Sequence, residues 1–271
     1  MTHIFRYLST GLLAVLIGVS QSPSAWAIDI AAREYILVDF ETGSVLDSHK
    51  ADESMPPSSM SKLMTAYMVF EAIHSGDLSL DDEFMVSENA WRQGGAASGG
   101  STMFLEPNTR VRVEDLLRGI IIQSGNDACI IVAENMAGSE EAFADEMTDR
   151  ARDLGLTGSN FANATGLPDP DHYMTATDLA LLARLIITNF PEYYSLYEET
   201  EFTYNDIKQF NRNPLLYRPG GADGLKTGHT DIAGYGLTAS AMRDGKRLIL
   251  VANGMESTQA RSEETAKLMD W

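Results

Sequence analysis

The chain has 271 residues, 44% of them apolar and 22% charged, a composition that excludes a disordered chain and can bury one large core or two lobes sharing a cleft. A formal net charge of −19 argues against nucleic acid as a partner, because phosphates would be repelled. The single cysteine, Cys129 within "ACIIVAEN", excludes an internal disulfide and reads as a small buried hydrophobe, while five scattered histidines without a Cys–His cluster or an HExxH pattern suggest no metal and no other cofactor.

The first 27 residues differ from the rest. Arg6 precedes an apolar run from Tyr7 to Val19, then come Pro23 and Ala25-Trp26-Ala27. A basic start, a short greasy middle and an A-x-A end predict a Sec-type signal peptide over 1–27, and so an exported protein of the periplasm or cell envelope. At 13 residues the run is short of the roughly 20 that a spanning helix needs, which sets the alternative of a retained anchor behind export.

"REYILVDFETGSVLDSHK" then predicts a hairpin, with a strand from Tyr35 to Phe40, a turn at Glu41-Thr42-Gly43 and a return from Ser44 to Ser48. A helix starts near Ser59, with Leu63, Tyr67 and Phe70 at helical spacing. "GGAASGG", Gly94 to Gly100, reads as a flexible loop. Helices are predicted over Val113–Gln123, Asn126–Met136 and Ser139–Leu154, the last opening with a capping serine and two glutamates. Another opens at Thr177-Asp178 and runs to Asn189. Near the end the period becomes alternating: "AGYGLTASAMRDGKRLILVANG" is two strands joined at Asp244-Gly245, followed by a helix from about Thr258 to Trp271. Strands at both ends with helices between them predict an α/β fold with one antiparallel sheet built from both termini. The sheet lobe would cover about 28–75 and 215–271, and an inserted, mostly helical lobe about 76–214.

Three short patterns could carry chemistry. Ser59 and Lys62 in "SSMSK" are three positions apart, which puts both side chains on one helix face about 5–6 Å apart at Cβ. A serine hydroxyl needs a base to become a nucleophile, and a lysine can be that base only if burial or a neighbouring cation lowers its pKa. Taken alone, the pair reads more simply as a helix start with capping serines. "IIIQSGNDA" puts Ser124, Gly125 and Asn126 at a junction between two apolar helices, where a hydroxyl and an amide can face a cleft or merely make a turn and a cap. "DGLKTGHT" puts Lys226, Thr227 and Gly228 on the expected first strand of the terminal hairpin. A cation and a hydroxyl beside a glycine make a carboxylate site there, because glycine lets a ligand backbone approach closely, or an exposed lysine on an ordinary strand.

S-x-x-K, S-G-N (for S-D-N) and K-T-G in this order are the signature of serine β-lactamases and penicillin-binding proteins. With "STMFLEPN", "IIIQSGNDAC", "NRNPLL" and "DGLKTGHTDIAGY", nearly all of the chain after the leader resembles the low-molecular-mass penicillin-binding proteins that act as D-alanyl-D-alanine carboxypeptidases, serine peptidases of family S11. The resemblance implies a β-lactamase/transpeptidase-like fold. It also implies action on peptidoglycan stem peptides ending in D-Ala-D-Ala, with β-lactams as covalent inhibitors. On that basis Ser59 is the nucleophile, Lys62 its base and Ser124 a proton relay. Asn126 holds the substrate backbone, Lys226 and Thr227 the terminal carboxylate, and the backbone N–H groups of Ser59 and His229 the oxyanion, with Gly228 among the substrate-binding positions. Arg261 and Arg212 match family positions near the substrate carboxylate, against the simpler reading of each as a surface ion pair.

Many members continue into a β-rich domain and a C-terminal membrane-resting helix. The sequence stops at Trp271 without them, so membrane attachment is not evident. A class A β-lactamase needs a glutamate about a hundred residues after the serine, and none occurs between Glu146 and Glu192. An endopeptidase cutting D-alanyl cross-links would share every catalytic residue. A non-catalytic peptidoglycan-binding protein would show a damaged motif, and none is damaged.

Overall fold

The computed structural model describes residues 28–271; the predicted signal peptide lies outside the described residues. Strand β1 (Glu34–Asp39) turns through Gly43 into β2 (Val45–His49), as the hairpin reading expects. β7 (Ala222–Thr230), β8 (Gly234–Arg243) and β9 (Lys246–Met255) complete an antiparallel sheet of order β2-β1-β9-β8-β7. The β8–β9 turn is Asp244-Gly245, with φ of +48° and +79°, the left-handed pair that a tight hairpin requires. Because β1 pairs with β9, the two ends of the described chain meet in the middle of the sheet. The K-T-G segment is not a strand of that terminal hairpin but an edge strand of its own, β7, paired only with β8.

β1 and β9 are apolar without alternation because both sheet faces are covered. Ile36, Val38, Ile249 and Val251 face a large core shared with the helices, whereas Tyr35, Leu37, Leu250 and Ala252 face a smaller one with Leu268 and Met269. Those last two belong to α8 (Thr258–Asp270), which starts at Ser257, whose hydroxyl accepts the Ala260 N–H at 3.0 Å.

The centre of the larger core is α1 (Lys62–Ser75), which follows a 3₁₀ turn over Ser58–Ser61 and stops at Gly76 with φ +84°. Its burial from Lys62 to Tyr67 and at Val69 and Phe70 is the burial of a helix enclosed on most sides. Although grouped by sequence with the sheet lobe, α1 is enclosed by helices of the inserted lobe: α4 (Asn126–Ala137), α5 (Glu140–Asp153) and α6 (Ala176–Asn189). α6 also lies across β1 and β9, so one core serves both layers.

The remaining elements are small. β3 (Glu83–Met85) pairs with β4 (Arg110–Arg112), and β5 (Glu201–Tyr204) with β6 (Ile207–Phe210). α2 (Glu88–Gly94) lies against α4, and α7 (Pro191–Tyr194) follows α6. Three sequence expectations shift. The helix expected over 113–123 is α3 (Val113–Arg118) and then a π-helical turn over Gly119–Gln123, which ends with Ser124 at φ +61°. α6 is capped by Thr175, not Thr177, whose hydroxyl instead reaches Asp52 Oδ1 at 2.6 Å. The glycine-rich loop contains a 3₁₀ turn over Ala96–Ser98.

Candidate active site

The serines of "SSMSK" do not cap. Neither the 3₁₀ turn nor α1 has a side-chain cap, Ser61 Oγ bonds back to the Ser58 carbonyl at 3.1 Å, and Ser58, buried with φ +51°, faces Thr230 Oγ1 at 3.4 Å. Ser59 alone of the three lies partly exposed. The turn and the first residue of α1 put Lys62 Nζ 2.9 Å from Ser59 Oγ.

The lysine is 1% exposed. Its Nζ also donates to Asn126 Oδ1 at 2.9 Å and to the Thr165 carbonyl. These are three neutral acceptors and no carboxylate. Burial pulls its pKa below the ordinary lysine value, and the Arg212 charge pulls the same way, against the acids Glu140 and Asp127. A base can therefore form here.

The Thr165 carbonyl is presented by a compact turn. Asn163 Oδ1 accepts from the Thr165 N–H, the Thr165 hydroxyl and the Gly166 N–H at 2.7–3.1 Å, and Glu140 Oε1 accepts the Ala164 N–H at 3.1 Å. Gly166 has φ +77°, and a Cβ there would lie 2.0 Å from the Ser58 carbonyl oxygen. Only glycine lets this turn touch the one that carries Ser59.

Ser124 ends the π turn in the left-handed conformation, and its buried hydroxyl has no hydrogen-bond partner among the described residues. Next to it, the Asn126 N–H bonds to the Ser101 carbonyl at 2.8 Å, and Asp127, fully buried, accepts from Thr102 Oγ1 at 2.7 Å and from the Met103 N–H at 2.8 Å. Residues 101–105 are thereby strapped over the start of α4. Ser101 lines the cleft, although "STMFLEPN" had supplied a resemblance and no role for it.

On the opposite wall β7 presents Lys226, Thr227, Gly228 and His229. Lys226 is 2% exposed, bonds only to the Thr227 carbonyl at 3.1 Å, and has its pKa held well below the usual range by burial and then by Lys62 and Arg212. Gly228 was expected to admit a ligand backbone. Its missing Cβ also makes room for the Ser59 turn, since a Cβ would sit 2.9 Å from the Pro57 oxygen. His229 is exposed and stacks on Tyr235 with centroids 4.0 Å apart.

Both arginines reach the cleft, and neither forms an ion pair among the described residues, which removes the surface-pair reading. Arg212 donates to Ser101 Oγ at 2.7 Å. Arg261, on α8, is 7% exposed, lies over Tyr235 at 5.5 Å, and keeps a buried Nε without a partner. Burial brings its pKa down to about 10, so it remains charged at neutral pH.

The structure thus brings all ten sequence-predicted positions to one place. Ser59, Ser124, Thr227, Arg212 and Arg261 line a cavity of about 250 Å³, and Ser59, Asn126, Arg212 and His229 line an adjoining one of about 420 Å³ that ends at Leu167 and Thr230. Among the described residues no acid lines either, in a chain of net charge −19. Such a cleft suits an anionic ligand end beside a serine poised for attack. Cys129, fully buried with its thiol pushed up to about 12, stays protonated. Among the described residues no His, Cys, Asp and Glu cluster could hold a metal, and no helix is long and apolar enough to cross a membrane.

Comparison with known proteins points the same way. Residues 19–257 match the family model for D-alanyl-D-alanine carboxypeptidase, Peptidase_S11. The D-alanyl-D-alanine carboxypeptidase DacC of Escherichia coli (strain K12) is 43% identical over 92% of this chain and 65% of its own length. Penicillin-binding protein 5 of Haemophilus influenzae superposes with a TM-score of 0.87 at 40% identity, over 90% of this chain and 71% of that one. Penicillin-binding protein D2 of Listeria monocytogenes, solved in an ampicillin-bound form, gives 0.76 at 31% identity, over 90% and 97% of the two chains. The chain spans 60–65% of the length of the first curated carboxypeptidases it matches.

Proposed function

The chain belongs to the Peptidase_S11 D-alanyl-D-alanine carboxypeptidase family, and from that premise we propose that it removes the terminal D-alanine from peptidoglycan stem pentapeptides through a serine acyl-enzyme. The observation that carries the reading is the buried Lys62 amine at 2.9 Å from Ser59 Oγ, in a cleft whose charged lining groups among the described residues are cations.

The substrate's terminal carboxylate sits against Arg261 and Thr227, under the potential of Lys226 and Arg212. Ser59 Oγ attacks the carbonyl between the two D-alanines while neutral Lys62 takes its proton. The oxyanion is held by the Ser59 N–H, at a helix start where backbone donors are free, and by the His229 N–H on the edge strand; losing one such donor costs about 3–4 kcal/mol of transition-state stabilisation. The proton passes through Ser124 to the departing amine, and D-alanine leaves. Water then attacks the acyl-enzyme and gives a proton, by way of Lys62, to Ser59 Oγ as the ester bond breaks, and the shortened peptide leaves with its new carboxylate.

β-Lactams mimic the donor peptide and acylate Ser59. With no carboxylate in the cleft lining to activate water strongly, the penicilloyl-enzyme is released slowly, unlike in a class A β-lactamase. The substrate places the enzyme in the cell envelope.

Mass spectrometry of products from purified sacculi tests the reading. Pentapeptides shortened by one D-alanine support it. Cross-linked dimers cut to monomers, with pentapeptides untouched, would make the protein an endopeptidase instead.

A further inference from the structure

Behind the Thr165 carbonyl that holds Lys62 lies a half-buried acid, Glu140. It opens α5 just after the capping Ser139, and its Oε1 accepts the Ala164 N–H at 3.1 Å. The Ala164 carbonyl accepts the Thr65 hydroxyl at 2.7 Å, and the next carbonyl, that of Thr165, accepts from Lys62 Nζ. Lys62 and Thr65 stand within one turn of each other on α1, so residues 164–165 are clamped between the helix that carries the base and the carboxylate at the start of α5.

Charge matters here as well as position. Arg212 and Lys226 face Lys62 as cations, whereas the Cys129 thiol and the His172 ring, with pKa values of about 12 and about 4, are uncharged at neutral pH. Asp127 is an acid of α4, but it is committed to the strap, where it accepts from Thr102 Oγ1 and from the Met103 and Leu105 N–H groups. Glu140 has one such donor among the described residues and acts on Lys62 more strongly than Asp127 does. Burial raises the Glu140 pKa, with the neighbouring Glu134 of α4 adding to it, while the Ala164 N–H and Lys62 oppose them. A buried lysine with no opposing acid would be neutral but too weak a base to take a serine proton.

We propose that Glu140 is a positioning residue for Lys62: its carboxylate fixes the turn whose Thr165 carbonyl holds the amine, and its negative charge keeps that amine basic enough to deprotonate Ser59. This rests on the carboxypeptidase reading, in which Lys62 is the base.

The test measures the rate of acylation by benzylpenicillin against pH. Glu140→Gln keeps an oxygen for the Ala164 N–H and loses the charge. A weaker base becomes neutral at lower pH but works more slowly once neutral. The variant's curve should therefore cross that of the wild type, faster below the wild-type inflection, slower on the plateau, and with the inflection moved to lower pH. Glu141→Gln removes the same charge from the exposed position next to it and should leave the curve unchanged. In Lys62→Met the linkage runs the other way. Without its cation Glu140 should ionise at higher pH than in the wild type, read from the titration of the Ala164 amide resonance in nitrogen-15 NMR. A Glu140→Gln curve lowered equally at every pH would make the residue structural only. That outcome, an unmoved curve, or an equal displacement in Glu141→Gln would overturn this role. So would an Ala164 titration unchanged in Lys62→Met, which decides the matter even if the Glu140 variant does not fold. Each of these leaves the carboxypeptidase reading standing. A wild-type rate that does not rise with pH would overturn Lys62 as the base, and the role of Glu140 with it.

Discussion

Lys62 Nζ stands 2.9 Å from Ser59 Oγ while the lysine is only 1% exposed. Placing an amine that water does not solvate against a hydroxyl that water reaches is what lets serine–lysine chemistry run near neutral pH. It also means that the site's protonation is written into the fold's own stability.

Acylation by penicillin should therefore rise with pH and level off, with an inflection below the ordinary lysine value, as burial lowers the Lys62 pKa. Lys62→Arg cannot lose its proton. It should lack this rise and acylate slower by about 10²–10⁴. The sign for stability is the same. Between the lowered folded pKa and the unfolded value the native state holds fewer protons, so stability climbs with pH there, and Lys62→Met should flatten that climb in urea titrations.

Arg261 should matter for the carboxylate and not for acylation as such. Removing a buried, unpaired guanidinium aimed at the cleft should lower kcat/KM of Arg261→Ala on peptide acids on the order of 10²-fold. A peptide ending in the D-alanine amide should be a poor substrate already and no poorer with the variant. An equal loss on both would place the residue in folding rather than recognition.

Gly166→Ala should disturb both turns at once, because the new Cβ would lie 2.0 Å from the Ser58 oxygen at a position with φ +77°. Gly76→Ala is the control, with φ +84° and nothing within 4 Å, so it carries only the left-handed cost of about 1–2 kcal/mol. The thermal midpoint should fall further for Gly166→Ala, at about 2–4 °C per kcal/mol, and only that variant should lose penicillin labelling.

His172 makes the fold acid-sensitive. Its pKa is lowered from 6.5 to about 4 by burial, with the Lys62 charge second, so the native state binds fewer protons than the unfolded chain between those values. Stability contributed by neutral His172 is full above pH 6.5 and declines toward pH 4, by roughly 3 kcal/mol in all. The difference in unfolding free energy between wild type and His172→Gln should shrink by about that amount across the window. A constant difference would show that the ring does not titrate this way.

Most of the frame was legible because its signals are local. The Asp244-Gly245 turn, the serine before α5 and the β1–β2 hairpin each follow from a few neighbouring residues, whereas the alternating period expected of the terminal strands is absent from β9 because both of its faces are covered. The three motifs were legible for the same reason, and tertiary folding brings their residues to one cleft. What stayed hidden is what folding alone creates. Nothing in "SNFANATGL" announces that the Thr165 carbonyl meets Lys62, nor in "STMF" that Ser101 bridges Asn126 and Arg212. The π turn was hidden because three isoleucines satisfy a helical pattern equally well with one residue more per turn. That Gly228 also packs on the Ser59 turn was hidden because Ser59 is 169 residues away in the chain (228 − 59).

The central claim, that Ser59 is the acylated nucleophile, is tested most directly by intact-protein mass spectrometry after brief exposure to benzylpenicillin, with peptide mapping of the adduct. The account predicts one penicilloyl group per chain on the peptide bearing Ser59, and none on Ser59→Ala protein whose circular dichroism matches wild type. An adduct that persists in that variant, or that maps to Ser58, Ser61 or Ser124, would contradict it.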